Sequence, residues 1–338
     1  MITNPHAYLF SIILPVRNGG EYVKDCVNSI LAQSISNFNL LILDSGSIDG
    51  TLEWLKTIND PRVIIYQTDK PLTIVENWAR IKTINKNKWM TIIGHDDILQ
   101  PHYIETMDAL INHYPDASLY QTHFTLIDKK GHFIRKCKPM PVMQTAKELL
   151  NSILLNSINI YGTGYMMKSI DYDRAGGIPL YPNLLSADYV LWLKLANLSF
   201  VVTSHEYQFS YRINESTTAI SSNEIYIKAL DLFVNYLIDS RNILSPKEPM
   251  NSYITKILLF YCNRISRRLL LTPKSDRNGL TVSAIINGCK RKSKVLLNDE
   301  SLFKPSLSIK IAKFLDSNEI TRKSFLMIKK NFSNPIFQ

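Results

Sequence analysis

Four short apolar runs, each closed by a polar turn and followed by apolar residues at helical spacing, restrict this chain to a layered α/β fold. The runs are 11–16, 38–43, 62–66 and 89–93. Arg17-Asn18-Gly19-Gly20 breaks the first, and Val23, Val27, Ile30 and Leu31 then recur with a helical period. The second ends at Asp44-Ser45-Gly46-Ser47, and Asp49-Gly50-Thr51 opens a helix carrying Leu52, Leu55 and Ile58. The third precedes a helical pattern through Ile74, Trp78 and Ile81; the fourth stops at His95-Asp96-Asp97. This alternation predicts a mainly parallel sheet with helices on both faces. In such sheets ligands bind beyond the carboxyl ends of the strands, so Asp44 and Asp96-Asp97 are expected to share one crevice.

Two adjacent carboxylates at a strand end are costly unless solvent, donors or cations compensate them. A divalent cation on a phosphorylated ligand would do so, since hard oxygen ligands suit Mg²⁺ or Mn²⁺. Acidic turns are common at strand ends, and the pair gains weight from its place on the fourth strand of the series.

Farther on, Pro101 opens a helix with Ile104, Leu110 and Ile111 on one face. Residues 117–127 read as a strand, Lys129-Lys130-Gly131 as a turn, and 146–155 as a helix. Gly162-Thr163-Gly164 and Gly176-Gly177 punctuate the middle of the chain. Ser186-Ala187-Asp188 starts a helix over 189–196, and 200–211 is extended. Beyond about 222 the pattern is helical, with Ile225, Leu232, Phe233, Tyr236 and Leu237 on one segment and Ile254, Leu258, Tyr261 and Ile265 on another. The tail from Lys304 sets Ile309, Ile311, Phe314 and Leu315 among lysines. A boundary is expected near 215–222.

At 338 residues the chain can bury a substantial core, and 45% apolar against 20% charged residues is globular usage. No apolar run approaches the roughly 18 residues of a membrane span, and the N-terminus lacks a secretory layout. Cys26, Cys137, Cys262 and Cys289 are scattered, which is expected of free thiols in a reducing cytoplasm. The net charge of +10 includes Arg264, Arg267 and Arg268, then Lys290, Arg291, Lys292 and Lys294. Such surplus fits anionic partners (nucleotides, phospholipid headgroups or nucleic acid), and a solvated basic surface accounts for each cluster equally well. No nucleic-acid motif accompanies it.

The order Ile13-Leu14-Pro15-Val16-Arg17-Asn18, Asp44-Ser45-Gly46-Ser47-Ile48-Asp49-Gly50-Thr51, Glu76-Asn77-Trp78 and His95-Asp96-Asp97 resembles a family 2 glycosyltransferase, over roughly residues 10–215. The resemblance implies an α/β GT-A fold with a mainly parallel central sheet and a helical C-terminal extension. Residues 1–128 would be the nucleotide-sugar-binding half, 129–220 the acceptor-binding half with the candidate base, and 221–338 a helical basic region. Pro15, Val16 and Arg17 would line the base and ribose, with Asp44 and Ser45 against the base. Asp96 would face the ribose and Asp97 the metal, Mn²⁺ or Mg²⁺. Ser186-Ala187-Asp188-Tyr189-Val190-Leu191-Trp192 resembles the segment bearing the catalytic base, which makes Asp188 the candidate; Gly176-Gly177 resembles the glycines that precede it.

The implied activity is inverting transfer of a sugar from a nucleoside diphosphate to a hydroxyl of a glycan or lipid-linked oligosaccharide, in O-antigen or capsule synthesis. Many members carry a second carboxylate where this chain has Ser45; the Asp-Ser-Gly-Ser sequence is similar to that of rhamnosyltransferases, leaving UDP- and dTDP-linked donors both open. The expected location is the cytoplasm, peripheral on the inner membrane face if the basic C-terminal helices dock there. The alternative is a catalytically inactive GT-A relative that binds nucleotides or membranes. A dinucleotide enzyme is disfavoured, because the first turn lacks G-x-G-x-x-G. Several residues have plainer readings: Asp188 or Ser186 as a helix cap, Trp78 and Trp192 as core, and Arg212 paired with either a phosphate or an internal carboxylate.

Overall fold

The computed structural model describes residues 8–213 and 220–332, with side chains described as far as Met327. Two compact units divide between positions 219 and 220. Most of the expected boundary region, 214–219, lies outside the described residues.

The first unit is a mixed, mostly parallel sheet. Its strands are β1 (Phe10–Val16), β2 (Phe38–Asp44), β3 (Val63–Tyr66), β4 (Trp89–Ile92), β5 (Ile98–Leu99), β6 (Leu119–Ile127), β7 (Phe133–Lys136), β8 (Met143–Gln144), β9 (Tyr165–Lys168) and β10 (Val201–Arg212). The spatial order is β3-β2-β1-β4-β9-β6-β10-β5, with β7 on β6 and β8 on β10. The helices are α1 (Gly20–Leu31), α2 (Thr51–Leu55), α3 (Ile74–Ala79), α4 (Tyr103–His113), α5 (Ala146–Leu155), α6 (Ser169–Arg174) and α7 (Ala187–Ala196). Strands β1 and β2 are buried at every position, which is why their sequences are continuous apolar runs. Strand β1 pairs in parallel with β2 on one side and β4 on the other, so the strand order reverses there. The crevice beyond the ends of β1 and β4 is thus the topological switch point of the sheet.

Strand β9 has no counterpart in the sequence reading. Tyr165-Met166-Met167-Lys168 inserts antiparallel between β4 and β6 and joins the two parallel portions. Gly164 precedes it at φ +79°, where a Cβ would come within 2.9 Å of the Phe209 ring. Trp192 is core as expected, but Trp78 is only half-buried. The buried member of α3 is Asn77, whose amide donates to Leu43 O at 2.9 Å and Val16 O at 3.4 Å, tying together the ends of β2 and β1.

The second unit is helical, with helices Asn223–Asp239, Met250–Leu271, Val282–Leu297, Leu307–Ser317 and Glu319–Phe332 among its elements. Phe233, Ile254, Leu258, Ile265, Leu269 and Ile309 form its core. Arg277 and Asp316 make a buried ion pair at 2.5 Å, and Asp316 also accepts from Val282 N at 2.8 Å. That second contact supplies a hydrogen bond which a buried pair needs to offset desolvation. All four cysteines are buried and free. No helix among the described residues is long and apolar enough to cross a membrane.

Candidate active site

The site is built at the carboxyl ends of β1, β2 and β4. Asp44 ends β2, fully buried, opposite Val16. Its Oδ2 accepts from Ser47 N at 3.2 Å, while the buried Oδ1 has no partner among the described residues. An orphaned carboxylate oxygen at a strand end is an acceptor awaiting a donor. Pro15 and Val16 are buried in the strand beside it, and the exposed Arg17 reaches Leu72 O at 3.4 Å.

Ser45 is engaged differently. Its hydroxyl donates to Leu72 O at 3.2 Å and accepts from Leu72 N at 2.8 Å. With its single proton committed to that carbonyl, it can only accept from a ligand. A Cβ on Gly46 would stand 3.0 Å from the Lys70 carbonyl carbon and from Pro71 N, so the loop over 70–72 lies directly against this turn.

The acidic pair follows β4 on a tight turn in which Asp97 N donates to Gly94 O at 3.2 Å. Asp96 is half-buried and Asp97 is 1% exposed. A Cβ on Gly94 would come within 2.8 Å of Asp97 Oδ2 and 3.0 Å of Asp96 Oδ1. Both carboxylates therefore converge on the space left by the missing side chain. Asp97 Oδ2 accepts from Thr163 Oγ1 at 2.8 Å and Oδ1 from Arg212 N at 3.1 Å. Both donors are neutral; burial first, and the neighbouring Asp96 second, hold the Asp97 carboxyl well above the usual carboxylate range.

The Arg212 guanidinium turns away from Asp97. It donates to Asp96 O at 2.7 Å and to the carbonyls of Asp128 and Lys129, pairs with Asp25 at 3.3 Å and lies over the Tyr22 ring. Among the readings open in the sequence, the internal carboxylate is the one the structure holds. The functional atom of this residue toward the site is its backbone N–H.

Asp188 lies on the first turn of α7, not at its cap; Ser186 occupies the cap position without a side-chain capping bond. Asn183, Leu184 and Ser186 all have positive φ on the approach to α7. Leucine rarely adopts that region, so the path into the helix is held by its surroundings. A Cβ on Gly162 would be 3.7 Å from Asp188 Cβ and 4.0 Å from its Oδ2, ordinary contact distances, so this backbone lies against the start of the helix. One segment, Tyr161-Gly162-Thr163-Gly164, thus packs against Asp188 and hydrogen-bonds Asp97.

Two stacked rings join this arrangement. Tyr161 and Tyr211 have centroids 3.7 Å apart and planes 14° from parallel. Each is the chain neighbour of a group near a candidate carboxylate: Tyr161 precedes Gly162, and Tyr211 precedes the Arg212 N–H on Asp97. Burial pushes the Tyr161 phenol up to about 12 and raises Tyr211 further, with Asp97 the next contributor for Tyr211.

A family profile described as Glycosyl transferase family 2 matches residues 11–172. Residues 11–172 belong to glycosyl transferase family 2. An uncharacterized glycosyltransferase of Rickettsia typhi is 26% identical over 268 residues, which is 77% of this chain and 82% of that protein. The chondroitin synthase of Escherichia coli is 30% identical over 151 residues, 44% of this chain and 21% of that enzyme. The crystal structure of S. aureus TarS 1-349 in complex with UDP-GlcNAc superposes with a TM-score of 0.58 at 14% identity, covering 86% of this chain and 92% of that one. The fold of this chain is therefore GT-A.

Among the described residues, no group of three or more His, Cys, Asp or Glu is placed to hold a metal unaided. A divalent cation that draws most of its ligands from a diphosphate needs only one or two protein carboxylates. The two converging carboxylates at Gly94, one of them buried with neutral donors alone, fit that demand. His95 is half-buried and stands outside this pair. Residues that the sequence did not single out are Thr163, Tyr161, Tyr211, Gly94 and the Arg212 amide. The glycines flanking Thr163 were the available signal, since such glycines mark close backbone approach.

Proposed function

We propose that this family 2 glycosyltransferase transfers a sugar, with inversion, from a UDP- or dTDP-linked donor to a hydroxyl of a glycan or lipid-linked oligosaccharide in cell-surface polysaccharide synthesis. The observation that carries the reading is the single segment 161–164 bridging Asp97 and Asp188. That segment holds a buried carboxylate, read as the diphosphate-side group, and a first-turn helix carboxylate, read as the base, against one stretch of backbone. The TarS complex with UDP-GlcNAc and the similarity to a chondroitin synthase support a nucleotide-sugar donor and a glycan acceptor.

In this mechanism the base enters against Asp44, whose unpartnered Oδ1 accepts an imide N–H of uracil or thymine. Pro15, Val16 and Arg17 line the nucleoside, Ser45 fixes the loop over it through Leu72, and Asp96 faces the ribose. Asp97 together with Asp96 would hold Mn²⁺ or Mg²⁺, which stabilises the negative charge that develops on the leaving diphosphate. The stacked Tyr161 and Tyr211 offer an apolar ring face beside both carboxylates, on which a sugar packs. Asp188 takes the proton from the acceptor hydroxyl as it attacks the anomeric carbon. One base opposite the leaving group gives a single in-line displacement, hence inversion.

The test is thermal shift of the full chain against UDP, dTDP, GDP and CDP, with and without Mn²⁺, followed by turnover of the matching sugar nucleotides. Stabilisation follows RT ln(1 + [L]/Kd), about 2.7 kcal/mol at roughly 100-fold excess over Kd. A shift with UDP or dTDP that needs the metal is the expected result. Absence of any shift, with no sugar-nucleotide turnover in the presence of candidate acceptors, would remove the reading.

A further inference from the structure

The second unit holds the whole charge surplus of the chain. Residues 220–338 carry 20 Lys and Arg against 9 Asp and Glu, whereas residues 1–219 carry 19 against 20. Within that basic unit, helix Leu307–Ser317 is apolar on two opposite faces. The inner face is accounted for: Ile309 and Ala312 are buried, and Asp316 anchors it to Arg277 and Val282 N. The outer face carries Leu307, Ile311 and Phe314 at positions i, i+4 and i+7, which are 73%, 50% and 65% exposed. Residues at that spacing form one continuous stripe along a helix. Exposed Lys310 lies three residues after Leu307 and four before Phe314, so it borders the stripe, and exposed Lys313 follows it one turn on.

The next helix, Glu319–Phe332, repeats the arrangement. Ile320 and Met327 are seven residues apart and exposed, with exposed Lys323 beside them. Its inner face is again occupied, by buried Arg322 donating to Leu270 O and Thr272 O and pairing with Glu319.

We infer that the outer face of Leu307–Ser317, continued by Glu319–Phe332, docks in the interfacial layer of an anionic lipid bilayer, lying on it without crossing it. Two features select this occupant. An apolar stripe bordered by lysines in a unit of excess positive charge matches acyl chains below and anionic headgroups beside it. A nucleic acid would engage the lysines and leave Leu307, Ile311 and Phe314 unused. This inference is independent of the donor and acceptor assignments above.

The experiment is flotation of the full chain with vesicles of phosphatidylcholine alone and with about one-third phosphatidylglycerol, at low and high salt. Two variants accompany wild type: Leu307→Ser/Ile311→Ser/Phe314→Ser and Lys310→Glu/Lys313→Glu. All five side chains are exposed, so both variants should keep the wild-type melting temperature. The expected result is binding to the anionic vesicles only, weakened at least tenfold by either variant and reduced by salt. Unchanged vesicle binding in both variants would overturn the inference, as would equal binding to neutral vesicles. So would a lipid-free dimer, seen by sedimentation, that the triple variant dissolves, because the stripe would then be covered by a second copy. Duplex DNA binding that survives the triple variant, without vesicle binding, would also overturn it.

Discussion

Thr163 donates its hydroxyl proton to Asp97 Oδ2 at 2.8 Å, deep in a site where, among the described residues, the carboxylate's hydrogen-bond donors are a hydroxyl and a backbone N–H. The relationship makes a neutral donor responsible for holding a buried negative charge in place. It also sets the distance scale of the site, because Gly162, one residue earlier, lies against Asp188.

Replacing Thr163 tests that role. Thr163→Val keeps the shape and leaves Oδ2 without its donor, which should lower stability by about 1–3 kcal/mol. Thr163→Ser should recover most of the loss. Melting temperature in the absence of ligand measures the first effect, and nucleotide affinity in Mn²⁺ measures whether the geometry of Asp97 suffers with it.

Asp97→Asn should stabilise the ligand-free protein while abolishing nucleotide binding. The raised folded value of the Asp97 carboxyl means that the folded chain takes up a proton which the unfolded chain has already released. Its contribution to stability is therefore lost as pH rises from about 4, the unfolded value, through the folded value. Asparagine has no such titration; its amide can donate to the Thr163 hydroxyl and its oxygen can still accept from Arg212 N. The advantage of the variant over wild type should grow as the pH rises across that window. Denaturation midpoints from pH 4 to 8 check it, and equal midpoints at every pH would refute the electrostatic account.

Asp188→Asn should separate chemistry from binding. If this side chain takes the acceptor proton, turnover should fall about 10²–10⁴-fold with little change in the thermal shift given by the donor nucleotide. A comparable loss of nucleotide affinity would instead place Asp188 on the donor side.

Gly94→Ala places a methyl group where the two carboxylates converge, 2.8 Å from Asp97 Oδ2 and 3.0 Å from Asp96 Oδ1. The expected outcome is loss of metal-dependent nucleotide binding with the far-ultraviolet dichroism of the fold preserved. Retention of wild-type nucleotide affinity would mean that the pair does not act as a unit.

The sequence alone determined the layering of the first unit. Buried parallel strands must be apolar along their length, so β1, β2 and β4 stand out as runs, and the turns that end them display Asp44 and Asp96-Asp97 by position alone. Amphipathic periodicity likewise exposed helices Asn223–Asp239 and Met250–Leu271 of the second unit, whereas Val282–Leu297 showed in the sequence only as a basic cluster. Strand β9 was hidden because a four-residue insertion has no period of its own, and its pairing partners β4 and β6 are distant in the chain.

Only the tertiary structure decided how the side chains divide the work. Ser45 and Arg212 carry groups suited to ligands, yet neighbouring backbone holds both: Leu72 for the hydroxyl, and the carbonyls of Asp96, Asp128 and Lys129 for the guanidinium. Thr163 and Tyr211 belong to no motif and still sit beside Asp97 or its donors. The reason is physical. Local pattern reports which face of an element is buried, whereas a hydrogen bond between residues far apart in the chain depends on where the whole sheet brings their backbones.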